Sequence, residues 1–95
     1  MSFSDDTVRK VWEKGTSSSD SQWKKDQCSA WIKWSDYGNR NSKYGWEIDH
    51  ISPTSNGGGD ELSNLRPLHW KNNARTSDGR LACPVKSNGT SNTGV

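Results

Sequence analysis

The chain is organised around residues 44–78, which read YGWEIDHISPTSNGGGDELSNLRPLHWKNNARTSD. The first six of these residues alternate with period two, which is typical of a half-buried β-strand. Asp49 is the last of these six and His50 follows it, Asn64 lies 14 positions after His50, and Asn73 lies nine positions after Asn64. Carboxylate and amide oxygens suit hard divalent cations, and a neighbouring imidazole can serve as a base near neutral pH. The pattern indicates metal-assisted hydrolysis of a phosphodiester bond.

The segment DHISPTSNGGGDELSNLRPLHWKNN resembles the core of the HNH endonucleases, which are built on a ββα-metal finger. The matching features are the Asp-His pair, the glycine-rich loop, the Asn-Leu step and an Asn on the following helix. The resemblance covers about 35 of the 95 residues. It implies that His50 is the general base, that Asp49 and Asn73 bind the metal, and that Asn64 braces the loop and orients His50.

Many members of this family also carry two Cys-x-x-Cys pairs that hold a structural zinc. Here the corresponding positions are Cys28 and Trp31 upstream, and His69 and Asn72 downstream. A closed zinc site needs four sulfur or nitrogen ligands, and only Cys28 and His69 qualify. The chain therefore resembles a His-Asn-Asn variant without the zinc Cys pairs. A structural zinc is not expected, and tryptophan packing is expected in its place.

Length and composition favour one small domain with a thin core. A chain of this size buries only about 60 to 65% of the surface that its unfolded form exposes, and hydrophobic residues make up 27% of the sequence. Six tryptophans compensate, because each can bury about 150 to 250 Å². The expected fold is α+β: a small ββα-metal finger with an N-terminal helix and an upstream supporting strand.

The remaining segments are assigned from local patterns. Ser4 is a helix-capping residue, two acids follow it, and Gly15 is a helix stop. Asp60 is expected to cap a short turn after the triple glycine. The predicted boundaries are a nuclease domain over 1–78 with its catalytic core at 44–78, helical support at 4–15, a loop at 16–21, a strand at 30–34, a helix at 69–77 and a disordered tail at 79–95.

Charge points to a phosphate-bearing partner near the proposed site. The formal net charge is only +2, but from Leu62 onward five basic residues face one acid, which leaves +4. Arg66, Lys71 and Arg75 are the expected nucleic-acid contacts; the alternative is an ordinary solvated helix face. Double-stranded DNA is the expected partner, and a monomer is the default.

The two cysteines, Cys28 and Cys83, do not make a disulfide framework and are expected to be reduced thiols. No apolar run approaches the roughly 20 residues of a membrane span, and the N-terminus lacks the hydrophobic region of a secretory signal. The sequence therefore favours a cytoplasmic protein.

These observations predict a divalent-metal-dependent DNA endonuclease. Mg²⁺ is the expected ion, and Mn²⁺ or another divalent ion is compatible with the same ligands. Two alternatives stay open: a non-catalytic DNA-binding module on the same fold, and a zinc-stabilised interaction domain. Replacement of Asn72 by alanine is expected to cost little beside the same change at Asn73, because helical geometry turns adjacent residues about 100° apart.

Overall fold

The computed structural model describes residues 3–77 and 79–95. These residues form two α-helices, three short 3-10 helices and seven short strands. The strands pair antiparallel in three sheets, β1-β2-β3, β4-β5 and β6-β7. The elements in chain order are α1 (Asp5–Trp12), β1 (Thr16–Ser17), β2 (Trp23–Lys25), β3 (Trp31–Lys33), β4 (Trp46–His50), β5 (Leu65–His69), α2 (Trp70–Arg75), β6 (Lys86–Asn88) and β7 (Ser91–Thr93). The predicted α+β class is confirmed, and β4, β5 and α2 follow the order of a ββα finger.

Helix α1 begins where the sequence places its cap. The Ser4 hydroxyl accepts a hydrogen bond from the backbone N–H of Thr7 at 3.2 Å, which satisfies one of the orphan donors of the first turn. Val8, Val11 and Trp12 bury one face of the helix. The helix ends at Trp12, earlier than the predicted residue 15, and the chain continues as a turn before β1.

The upstream support is a three-stranded sheet, although the sequence predicted a single strand. Strand β3 carries Ile32, which is fully buried, and it pairs with β2, which pairs in turn with β1. The predicted loop at 16–21 is therefore wrong at Thr16–Ser17. These two residues are exposed and polar, so the sequence shows no alternating pattern there. Only their backbone pairing with β2 places them in the sheet.

Tryptophans supply the centre of the core but not all of it. The Trp12 ring lies 5.7 Å from Trp34 and 5.1 Å from Trp46, and Trp34 lies 6.1 Å from Trp46. Trp46 is fully buried and Trp12 is nearly so. The other three indoles are half-buried and lie outside this cluster.

The structure corrects the prediction of a disordered tail over 79–95. Strands β6 and β7 form a hairpin, and Val85 is fully buried. Cys28 and Cys83 form a disulfide, with their Cα atoms 5.3 Å apart, so the expectation of reduced thiols is also wrong. Composition gave no sign of this order, because one covalent bond and one buried valine anchor an otherwise polar segment.

Neither helix of the described residues has the length and apolarity needed to cross a membrane. The cytoplasmic location that the sequence favours stays a prediction.

Candidate active site and metal centre

One cleft brings together three of the predicted site residues. Asp49, His50 and Asn73 line a cavity of ≈ 260 Å³ between the end of β4 and helix α2. Antiparallel pairing of β4 with β5 sets His50 opposite Leu65 and Asp49 opposite Arg66, and α2 follows β5 directly. The loop after β4 closes the other side of the cleft through Pro53 and Thr54.

His50 is held by a carboxylate that sequence reasoning assigned to another task. The Nε2 atom of His50 lies 2.7 Å from Oδ1 of Asp60. An ionised carboxylate can only accept a hydrogen bond, so in this arrangement Nε2 carries the proton and Nδ1 has a free lone pair. Asp60 does not cap the following turn, whose N-cap is Glu61 and has no side-chain cap bond. The sequence signal that could have indicated this contact is the position of Asp60 directly after three glycines, in the loop over the site.

Asn64 ties the glycine-rich loop to the end of β4. Its Oδ1 accepts from the Ser52 N–H at 2.8 Å, and its Nδ2 donates to the carbonyls of Ser52 and Gly59 at 3.1 and 2.8 Å. A side chain at Gly58 has no room, because its Cβ would lie 1.8 Å from the Ser52 carbonyl oxygen. Asn64 makes no direct contact with the His50 side chain, so any effect on His50 passes through this loop.

Asp49 forms an ion pair with Arg66. The Arg66 Nε lies 2.8 Å from Oδ2 of Asp49, and both side chains are largely buried. Arg66 also donates from Nη1 to Oε1 of Gln27 at 3.0 Å, while its Nη2 is buried without a partner among the described residues. Arg66 is therefore placed inside the domain, which corrects the prediction that it contacts DNA on the surface. The cross-strand register with Asp49 was not readable from charge alone.

Asn73 also has a carboxylate partner. Its Nδ2 donates to Oε1 of Glu47 at 2.8 Å, and Arg40 forms a two-point ion pair with the same carboxylate at 2.6 and 2.8 Å. Burial on its own would raise the pKa of Glu47, but the hydrogen bonds from Arg40 and Asn73 outweigh it and the pKa lies below its ordinary value. Glu47 thus fixes the amide of Asn73 and leaves the Asn73 oxygen unused by these bonds.

The neighbouring Asn72 is a structural residue. It is fully buried, and its amide pairs with both backbone polar groups of Val85, at 2.8 and 3.0 Å. Its Nδ2 also donates to Oδ2 of Asp26 at 3.1 Å. The expectation that alanine at Asn72 would cost little is therefore corrected: the change would leave buried backbone groups without partners.

The buried carboxylate of Asp26 connects the segment of Cys28 with the segment of His69 and Asn72, which are the segments that a structural zinc would join. Its Oδ1 accepts from the N–H groups of Cys28 and Ala30, both at 2.9 Å, and its Oδ2 accepts from the His69 N–H at 2.9 Å and from Asn72. We call this set of four hydrogen bonds the Asp26 hub. The expectation of tryptophan packing at this position is therefore replaced by a polar hub beside a disulfide.

His69 packs beside the hub as a neutral imidazole. Burial lowers the pKa of His69 below its ordinary value of 6.5. Its Nδ1 accepts from the Lys71 N–H at 3.1 Å, and its Nε2 lies 2.7 Å from the Lys43 carbonyl oxygen. Both ring nitrogens are thus engaged by the protein.

The other predicted nucleic-acid contacts lie on α2. Arg75 is exposed and Lys71 is half-buried. Neither forms an ion pair with a carboxylate of the described residues, whose salt bridges involve other basic side chains.

The donor set at the cleft fits a hard divalent cation. Asp49 offers a carboxylate and Asn73 an amide oxygen, both on the cleft wall. No group of three or more His, Cys, Asp and Glu side chains among the described residues has the geometry of a metal cluster. Magnesium characteristically binds through one or two carboxylates and keeps several waters, so a sparse oxygen set suits it better than it suits zinc.

Comparison with protein families agrees with this geometry. The family model described as HNH endonuclease matches residues 28–79, which is more than half of the chain and includes the cleft. No curated protein and no solved structure matches the chain. The fold is that of a small ββα-finger protein. The chain belongs to the HNH endonuclease family.

Proposed function

We propose that this protein is a divalent-metal-dependent endonuclease that hydrolyses phosphodiester bonds in DNA. The observation that carries the proposal is the meeting of Asp49, His50 and Asn73 in one cleft. The three side chains come from a strand end and a helix, and a non-catalytic module would not need them together.

His50 is the general base in this proposal. The hydrogen bond from Nε2 to Asp60 leaves Nδ1 free to take a proton from the attacking water. The Asp60 carboxylate lies 2.7 Å from this nitrogen and so fixes the orientation of the imidazole ring. Asp60 is thus a positioning residue that acts through His50.

Asp49 and Asn73 would hold the metal, with Mg²⁺ as the proposed ion. When bound, a divalent cation supplies polarisation of the scissile phosphate and stabilisation of the charge on the leaving oxygen. Glu47 orients the Asn73 amide through its hydrogen bond. Arg75 and Lys71 on α2 would contact flanking phosphates, each as a sequence-independent attraction.

The Asp49–Arg66 ion pair favours the alternative function, a DNA-binding module that does not cut. Arg66 already neutralises the one carboxylate proposed as a metal ligand, so a cation would have to share it. A binding module needs no free carboxylate at this position.

A plasmid-nicking assay with and without EDTA separates the two functions. We expect the wild-type protein to convert supercoiled plasmid to nicked or linear product with Mg²⁺, and His50→Ala to lower the rate by on the order of 10² to 10⁴-fold. DNA affinity, measured in EDTA, should be nearly unchanged in that variant. Thr54→Ala is the matched control, because Thr54 lines the same cleft without a proposed role. Binding without cleavage in the wild type would establish the alternative.

A further inference from the structure

The β2–β3 hairpin turns four large side chains toward one face. Trp23 lies directly opposite Lys33, and Lys25 lies directly opposite Trp31. Side chains alternate along a strand, so all four share this face, while Lys24 and Ile32 point to the other side. We call Trp23, Lys25, Trp31 and Lys33 the Trp/Lys face. Ile32 is fully buried, so the Trp/Lys face is directed away from the core.

The two indoles form a corner with an open space beside them. Their ring centroids are 6.4 Å apart and their planes are nearly perpendicular, at 89°. Together with Thr90 they line a cavity of ≈ 290 Å³. Pockets for drug-sized ligands span about 300 to 1,000 Å³, so this space suits one planar ring rather than a larger ligand. A ring placed there would stack on one indole and meet the edge of the other.

Each indole also has an ammonium group beside it. The Nζ of Lys25 lies 4.8 Å from the Trp31 ring centroid, and the Nζ of Lys33 lies 5.6 Å from the Trp23 ring centroid. Neither lysine is in a salt bridge with a carboxylate of residues 3–77 or 79–95. Two cations interleaved with two aromatic rings match a polymer that carries phosphates and flat bases in alternation.

We propose that the Trp/Lys face is a binding site for single-stranded nucleic acid, with an unpaired base on Trp23 and Trp31 and backbone phosphates at Lys25 and Lys33. In a duplex the base faces are stacked on each other, so the site selects single strands. It shares no residue with the cleft that holds His50. The inference goes beyond the proposed hydrolysis and does not depend on it, because binding here requires neither metal nor cleavage.

Fluorescence anisotropy of a labelled twelve-residue thymidine oligonucleotide, in EDTA, tests the site. The wild-type protein should bind this strand more tightly than the matching duplex, and Trp23→Ala should weaken the single-strand complex by about 5- to 150-fold. The double variant Lys25→Ala/Lys33→Ala should reduce the slope of log affinity against log salt by about 1.4, at roughly 0.7 per phosphate contact. This second variant keeps the test decisive if Trp23→Ala fails to fold.

Lys24→Ala is the matched control, because it removes the same charge from the opposite face of β2. It should leave single-strand affinity close to that of the wild type. Equal affinity for strand and duplex, or an equal loss from Lys24→Ala and Lys25→Ala, would overturn the proposal and indicate attraction by net charge alone. Every binding measurement is made without metal, so the two tests are independent. A protein that fails to nick plasmid can still bind single strands at this face, and a protein that nicks plasmid can still fail to bind them here.

Discussion

Asp26→Asn is the substitution that most directly tests how the domain is held together. The Asp26 carboxylate is almost fully buried and accepts all four hydrogen bonds of the Asp26 hub. Asparagine has nearly the same shape but only one acceptor oxygen. In either orientation its NH₂ group would face two donors: either the N–H groups of Cys28 and Ala30, or those of His69 and Asn72.

The cost follows from the bonds that are lost. A hydrogen bond to a charged group contributes about 1.5 to 3 kcal/mol, so losing two should lower the free energy of unfolding by about 3 to 6 kcal/mol. Small domains are stable by only about 5 to 15 kcal/mol. Asn72 cannot compensate by flipping its amide, because its orientation is fixed by the two hydrogen bonds to Val85.

Urea unfolding followed by tryptophan fluorescence measures this loss. The midpoint should fall while the slope of free energy against urea stays constant, as expected when stability changes and the exposed surface does not. Asp20→Asn is the control. Asp20 is exposed, and its carboxylate accepts one N–H bond, from Gln22, which an asparagine oxygen can also accept. If Asp26→Asn loses no more than Asp20→Asn, the hub does not stabilise the fold as argued.

Three further perturbations have defined outcomes. Cys83→Ser removes the disulfide to Cys28, which closes a loop of sequence separation 55, and should lower the free energy of unfolding by about 4 kcal/mol. Treatment of the wild-type protein with DTT should lower it by the same amount. If neither the substitution nor DTT changes it, the disulfide is refuted. Asn73→Asp places a second carboxylate beside that of Glu47, so the melting temperature of the variant without metal should be lower than that of the wild type. Addition of Mg²⁺ should raise the melting temperature of the variant by more than it raises that of the wild type. An equal rise in the two proteins would exclude Asn73 as a metal ligand. Because burial lowers the pKa of His69, unfolding takes up a proton in acid. The contribution of His69 to the free energy of unfolding should therefore be fully present above about pH 6.5 and be lost below it. The fall of the free energy of unfolding with pH should be weaker in His69→Gln, and equal slopes in the two proteins would exclude His69 as the cause.

The sequence predicted the strand that carries Asp49 and His50, and the helix that follows, because their patterns are local. Period-two alternation ends at Asp49, and the glycine-rich loop and Asn64 follow in the order and spacing of the HNH core that this segment resembles. The N-terminal helix was equally local, since Ser4 and the acids after it define a start. Each of these features can be read from a window of fewer than twenty residues.

The contacts made by the site residues could not be read in the same way. Arg66 looked like a surface cation because its pairing with Asp49 depends on the β4–β5 register. Cys28 and Cys83 are far apart in sequence, and nothing in the intervening residues signals that the tail returns to β3. Asp26 lies among lysines and polar residues, so its burial depends on backbone donors that the sequence does not display.

Two links, one through hydrogen bonds and one through a disulfide, start from the short turn between β2 and β3 and stabilise different surfaces. The Asp26 hub reaches His69 and Asn72, at the start of α2, and so sets the position from which Asn73 enters the cleft. Two residues later, Cys28 is bonded to Cys83, which anchors the segment leading to the β6–β7 hairpin; that hairpin accepts the Trp31 indole N–H at Gly89. Weakening the hub should therefore affect cleavage first, whereas reducing the disulfide should affect the Trp/Lys face first. Asn72 joins the two, because its amide bonds Val85 as well as Asp26, so the two treatments should differ in which surface responds first and not in whether both respond. The first response differs because strands β6 and β7 contribute no residue to the cleft lining.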